Sequence, residues 1–164
     1  MFRRATLLAA VVAVMIVATA GIALAVTTVG TNNPQTIVGT AGLDQLYGLG
    51  GDDTIRGLAE DDKEIGGTGA DTLFGGLGDD RQRGGIGKDI VYGGNGYDES
   101  WGQEGADVLK GGDQNDRLHA RDGIPNNDFV IGGGGTKDHC YADSMDEINK
   151  ETCEKIHVSK SSAR

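Results

Sequence analysis

Residues 66–92 read GGTGADTLF, GGLGDDRQR and GGIGKDIVY, three consecutive nine-residue units that each open on Gly-Gly, carry Gly at the fourth position and place Asp71, Asp80 and Asp89 at the sixth. The same frame extends outward without an insertion. GTNNPQTIV, GTAGLDQLY, GLGGDDTIR and GLAEDDKEI precede these units from Gly30, and GGNGYDESW, GQEGADVLK and GGDQNDRLH follow them to His119. Gly opens all ten units and Asp holds the sixth position in nine, a fixed register that a random glycine-rich tract would not keep. Glycine at the first, second and fourth positions permits the positive φ angles of a tight turn. The three residues after each Asp suit a short strand, with the middle one pointing inward, as Leu73 does between Thr72 and Phe74.

Composition sets a second constraint. The 164 residues include 29 Gly and only 2 Pro, aromatics make up 5%, and the formal charge is −10. A chain so acidic and so poor in large apolar residues cannot build a self-sufficient hydrophobic core, so something must neutralise the charge and replace the missing core. The same charge excludes nucleic acid as a partner. Residues 1–25 open on Met-Phe-Arg-Arg, continue as an apolar run from Ala5 to Ala20 and end with Ala23 and Ala25 before Val26. This is the pattern of a secretory signal peptide, with an uncleaved membrane anchor as the alternative. Cleavage would leave no membrane span and place the folded part outside the cytoplasm, secreted, where two cysteines can persist as a disulfide.

Units 66–74 and 84–92 meet GGxGxDxUx, with U apolar, at every specified position. On these residues the chain resembles the RTX, or haemolysin-type, calcium-binding repeat family over residues 30–119, with a degraded continuation to about Tyr141. The resemblance implies an all-β fold, a parallel β-roll (a right-handed β-solenoid) in which two nonapeptides make one coil and units 18 residues apart stack. Stacking would bring Asp53, Asp71, Asp89 and Asp107 into one column, and Asp44, Asp62, Asp80, Asp98 and Asp116 into another. Neighbours in a column would lie one strand spacing apart, ~5 Å, where two unit charges repel by roughly 3 kcal/mol at an effective dielectric of 20. A hard divalent cation taking carboxylate and carbonyl oxygens removes that repulsion. Ca²⁺ suits a flexible oxygen cage better than Mg²⁺, so all nine aspartates are candidate calcium ligands, with several ions held between stacked turns.

Departures from the pattern locate the weak points. Gln35 replaces the first Asp, so the opening turn should cap the roll. Glu60 and Gln114 replace the fourth-position Gly and should strain their turns, which puts the sites at Asp62 and Asp116 in question. Inward positions of one sheet are apolar: Ile37, Ile55, Leu73, Val91 and Leu109. The other sheet reads Leu46, Glu64, Gln82, Ser100 and Leu118. Its three polar members fit sequence drift, a locally shifted strand or a wet, hydrogen-bonded polar seam.

Beyond His119 the register breaks at a loop marked by Pro125, Asn126 and Asn127, and one further coil follows through Asp128-Phe129-Val130-Ile131 and Gly132–Gly135. A disulfide between Cys140 and Cys153 would fix a short acidic cap containing Asp143, Asp146 and Glu147, with two free thiols as the alternative. The chain thus divides into a signal peptide (1–25), a short lead (26–29), ten repeats (30–119), a degraded repeat with its loop (120–141) and a cap with a tail (142–164).

Catalysis finds no support: His119, His139 and His157 lie in no HExxH pattern, and no GxSxG elbow occurs. The expected function is a calcium-folded structural or interaction module at the cell envelope or matrix. The alternative is a calcium-dependent module for acidic polysaccharide, as in the RTX-type accessory modules of alginate epimerases. Outward positions seven and nine would then set Lys63, Arg81, Arg83, Arg117 and His119 beside Tyr47 and Trp101, cations meeting carboxylates and rings covering sugar faces. The opposite sheet, with Arg56, Phe74, Tyr92 and Lys110, would be the less charged face.

Overall fold

The computed structural model describes residues 24–124, 127–144, 146–150 and 152–159. The expected signal peptide therefore lies outside the described residues up to position 23, as do Pro125, Asn126 and the chain end from Lys160. Fifteen strands and no helix make up the described residues. In chain order they are β1 (Thr27–Val29), β2 (Thr36–Val38), β3 (Gln45–Gly50), β4 (Thr54–Ala59), β5 (Lys63–Thr68), β6 (Thr72–Leu77), β7 (Arg81–Ile86) and β8 (Ile90–Asn95). They continue as β9 (Glu99–Glu104), β10 (Val108–Asp113), β11 (Arg117–His119), β12 (Phe129–Gly133), β13 (His139–Ala142), β14 (Glu147–Ile148) and β15 (Lys155–Val158).

Odd-numbered strands form one parallel sheet of eight, and even-numbered strands form a parallel sheet of seven. The chain alternates between them, which makes a β-solenoid of about seven coils. Register follows the repeat: Leu46 pairs with Glu64, Glu64 with Gln82, Leu73 with Val91. Most strands run six residues instead of three, because each continues past the ninth position through the glycine pair of the next unit. Among the described residues five other than glycine sit at positive φ: Leu49, Leu58 and Gln103 at the second position of their units, within β3, β4 and β9, and Glu60 and Gln114 at the fourth. Glu60 (φ 68°) and Gln114 (φ 77°) thus carry the strain expected of them, a cost of roughly 1–2 kcal/mol each.

Both sheets continue past the inserted loop. Phe129 pairs with Val108 and His139 with Arg117, so offsets of 21 and 22 residues replace 18 without breaking either ladder. β14 and β15 extend the sheets again, and the Cys140–Cys153 disulfide ties β13 to the segment entering β15.

The narrow core is one inward column per sheet. Ile37, Ile55, Leu73, Val91, Leu109 and Val130 line one side, all buried. Leu46, Glu64, Gln82, Ser100, Leu118 and Cys140 line the other, and the three polar members are fully enclosed. The strand is not shifted there. Gln82 Nε2 donates to Glu64 Oε2 at 2.5 Å and to the Tyr92 carbonyl of the opposite sheet at 3.0 Å, and Ser100 Oγ donates to Gln82 Oε1 at 3.1 Å. A chain of hydrogen bonds thus replaces the apolar column for three coils and ties the sheets together. Burial pushes the Glu64 carboxyl up to about 8, helped by Asp80 and Asp62 and opposed by the bond from Gln82. The raised value favours the neutral carboxyl, which lowers the cost of enclosing it.

Candidate metal columns

Each turn ends in an aspartate turned inward, because the residue after it begins a strand bonded to the coil before: Arg81 N–H donates to Asp62 O at 2.9 Å, and Ile90 N–H to Asp71 O at 2.9 Å. The side chain then reaches back along the roll. Asp62 Oδ1 accepts the N–H of Asp44 at 2.7 Å, Asp80 that of Asp62 at 2.8 Å, Asp98 that of Asp80 at 2.9 Å, and Asp116 that of Asp98 at 2.9 Å. In the other column Asp53 accepts from Gln35 at 3.0 Å, Asp71 from Asp53 and Asp89 from Asp71 at 2.8 Å, and Asp107 from Asp89 at 2.9 Å. All nine expected aspartates stand in the two expected columns, and all are nearly or wholly buried.

The second carboxylate oxygen sets eight of them apart. Oδ2 of Asp53, Asp62, Asp71, Asp80, Asp89, Asp98, Asp107 and Asp116 is buried without a hydrogen-bond partner. Around Gly57 the reason is visible: the space a Cβ would fill is flanked by Asp62 Oδ2 and by the carbonyl oxygen of Gly75, 2.7 Å from that point. Gly48, Gly66, Gly75, Gly93 and Gly111 repeat the arrangement with the Asp five residues on and a Gly carbonyl from the next coil. Two acceptors facing one gap repel each other unless a cation or a proton stands between them. Hard oxygen donors and the close approach that only glycine permits fit a calcium ion.

The first coil closes the same gap differently. Gln35 Nε2 donates to the Gly48 carbonyl at 3.2 Å, so an N–H faces the oxygen there. Asp44 Oδ2 accepts the Thr40 N–H at 2.5 Å and the Thr40 hydroxyl at 3.1 Å. Gln35 therefore completes its turn with a protein donor, whereas Asp44 Oδ2, although it accepts from Thr40, still lies against the Gly57 carbonyl oxygen beside Gly39 as its later counterparts do. The turns with Glu60 and Gln114 do not differ from their neighbours in this respect, since Asp62 and Asp116 keep the unpartnered Oδ2.

Burial dominates the electrostatics, raising the Asp80 and Asp116 carboxyls to about 8, Asp89 to about 7, and Asp62, Asp98 and Asp107 to about 6. Backbone N–H bonds to Oδ1 pull the other way, and neighbouring carboxylates add to the rise. Asp53 and Asp71 are raised for the same first reason.

Two column members escape the nonapeptide frame. Asp128 accepts the N–H of Asp107 at 2.8 Å and Asp138 that of Asp116 at 2.8 Å, and both have a buried, unpartnered Oδ2. Their signal is the tetrapeptide Asp-x-apolar-x, Asp128-Phe129-Val130-Ile131 and Asp138-His139-Cys140-Tyr141, once the frame admits inserted residues. A second carboxylate ladder runs at the fifth position, where Asp52, Asp61 and Asp79 accept the N–H groups of Ala70, Asp79 and Tyr97 at 2.8–2.9 Å. Among the described residues no three carboxylates, imidazoles or thiolates converge on one point, so a cation here draws most of its oxygens from the backbone.

Outer faces differ from expectation in one respect. Trp101, His119, Tyr141 and His157 form a face-to-face ladder with centroids 5.1, 4.5 and 4.5 Å apart, and the Arg83 guanidinium lies 5.2 Å over Trp101. Both faces of Trp101 are thereby covered, so it is not open to lie against a sugar ring. Phe74 and Tyr92 stack at 5.0 Å on the opposite sheet, between Arg56 and Lys110.

A family model described as RTX calcium-binding nonapeptide repeat (4 copies) matches the chain over residues 29–63, 65–99 and 101–136. No curated protein and no solved structure matches the chain. RTX nonapeptide repeats bind Ca²⁺ between their turns.

Proposed function

The chain belongs to the RTX calcium-binding nonapeptide repeat family, and on that footing we propose that it is a secreted structural module whose roll is completed by Ca²⁺ at Asp53, Asp62, Asp71, Asp80, Asp89, Asp98, Asp107 and Asp116, continuing to Asp128 and Asp138. The family is generally non-catalytic, and a structural calcium-binding role is what its repeats suggest. The observation that carries the assignment is the buried, unpartnered Oδ2 set against a glycine carbonyl, contrasted with the N–H that Gln35 places there. Calcium supplies the positive charge that these acceptors lack, while the aspartates orient it by anchoring Oδ1 to the coil before. Extracellular placement is supported by the typical setting of RTX repeats and by a disulfide, which suits an oxidising compartment. Native mass spectrometry of the calcium-loaded protein tests the sites. Asp71→Ala should lose bound calcium, whereas Gln35→Ala, at the turn where an N–H already meets the Gly48 carbonyl, should keep the parent count. Equal counts in parent and Asp71→Ala would refute the assignment.

A second reading, calcium-dependent binding of an acidic polysaccharide, is favoured by one outer row of the eight-stranded sheet. Lys63, Arg81, Glu99, Arg117, His139 and Lys155 follow one another in register, four lysines and arginines and one histidine to one acid in an acidic chain. With the rings stacked on each other, charge alone would recognise such a polymer, and binding should weaken as salt rises.

A further inference from the structure

One coil before Asp44, 18 residues back, stands Val26. Its backbone N–H donates to Asp44 Oδ1 at 2.7 Å, as the Asp44 N–H does to Asp62 Oδ1 one coil further on. The Val26 carbonyl accepts the Gln45 N–H at 2.8 Å and Thr27 pairs with Gln45, so the sheet fixes this nitrogen in place. Asp44 is fully buried, and among the described residues no lysine, arginine or histidine lies within ion-pair distance of it. The head of this carboxylate column thus has hydrogen bonds but no side-chain cation.

The sequence puts the same nitrogen at a scissile bond. Ala23 and Ala25 precede Val26 in the small-x-small pattern that leader peptidases cut. Hydrolysis adds one water across the Ala25–Val26 peptide bond: the Ala25 carbonyl carbon takes the oxygen and leaves as a carboxylate, and the Val26 nitrogen takes the protons and becomes an α-ammonium. An ordinary α-amino group titrates at about 7.7–8.0, so the new terminus is largely charged at pH 7.

We propose that cleavage before Val26 creates a structural part of the roll, with the new α-ammonium forming an ion pair with the buried Asp44 carboxylate. The proposal rests on the secretion reading. Removing the leader turns a neutral donor into a charged one at an atom already within hydrogen-bond distance, and charge-assisted bonds to a carboxylate are roughly twice as strong as neutral ones. The cut costs little nearby. Thr40 Oγ loses the Leu24 carbonyl, 2.7 Å away, but also donates to Asp44 Oδ1 and Oδ2 at 3.2 and 3.1 Å. Processing thereby acts as a local charge switch with a packing consequence.

Two experiments test it. The full chain is expressed in a secreting bacterial host, and the protein outside the cell is weighed intact. A mass that starts at Val26 is expected. A chain that starts elsewhere overturns the proposal and leaves the calcium count untouched, whereas a chain never found outside the cell removes the secretion reading and the proposal with it. In the second experiment, chains released from a fusion begin at Val26 or at Ala25. Both keep all fifteen strands, but the second moves the amine one residue, ~3.3 Å, along the chain. At pH 7 and saturating calcium the Val26 form should melt about 5 °C higher. N-acetylation of Val26, which keeps the N–H and removes the charge, should abolish that advantage, and so should Asp44→Asn in both forms. Equal midpoints for the two forms, or an advantage that survives acetylation, overturns the proposal.

Discussion

The side-chain amide of Gln35 donates to the carbonyl oxygen of Gly48 at 3.2 Å, in the place where later coils set an aspartate oxygen against the equivalent glycine carbonyl. On the proposed reading one N–H does locally what a cation would do elsewhere, so the turn at Gln35 would close without metal. Gln35→Asp should convert it into a metal-dependent turn. The variant is expected to bind one more calcium ion than the parent by ion counting and to lose stability when calcium is scarce. An unchanged count would show that the gap beside Gly48 does not resemble those that follow.

Acid should substitute in part for calcium. Asp80 and Asp116 titrate near 8 in the metal-free roll, Asp89 and Asp128 near 7, and Asp62, Asp98 and Asp107 near 6, all raised first by burial. Their unfolded values are about 3.9. Between those values the folded chain binds more protons than the unfolded one, so metal-free stability falls as pH rises. It should be greatest below pH ~4 and be lost progressively from there up to pH ~8. Thermal unfolding of calcium-stripped protein at a series of pH values should show the midpoint dropping across that window, and a rising or flat midpoint would contradict the assignment of burial as the cause. Calcium should flatten the dependence and release protons as it binds.

Nonapeptide arithmetic carries the reading of the roll a long way and stops where the arithmetic does. Fixed spacing places Asp53 over Asp71 and Leu73 over Val91, because parallel strands in a solenoid stack residues separated by one coil. Asp138 escapes the nine-residue frame because inserted residues stretch its distance from Asp116 to 22, although the backbone ladder absorbs them in a loop. The same insertions hide the stack of His119 on Tyr141. Glu64, Gln82 and Ser100 look like defects one at a time; their hydrogen-bonded order exists only once three coils lie side by side. Strands run longer than the repeat suggests because glycine reads as a turn signal, while here the glycine at the first position continues the ladder.

The disulfide should matter most at the end of the roll. Cys140 and Cys153 are 13 positions apart, and both are buried at the last coils beside Ile148 and Ile156. Closing a loop of that length is worth about 3 kcal/mol through the entropy of the unfolded chain. Cys153→Ser is expected to lose about that much in denaturant unfolding at saturating calcium. No change on breaking the bridge would mean that the cap holds without it.

The most direct test of calcium as the missing half of the core is far-ultraviolet circular dichroism of the chain at neutral pH, in chelator and then along a calcium titration. Because buried carboxylate oxygens confront carbonyls in successive coils, the account predicts a disordered spectrum in chelator and a cooperative gain of β structure as calcium is added. A chain equally rich in β structure in chelator, with no response to calcium, would contradict it.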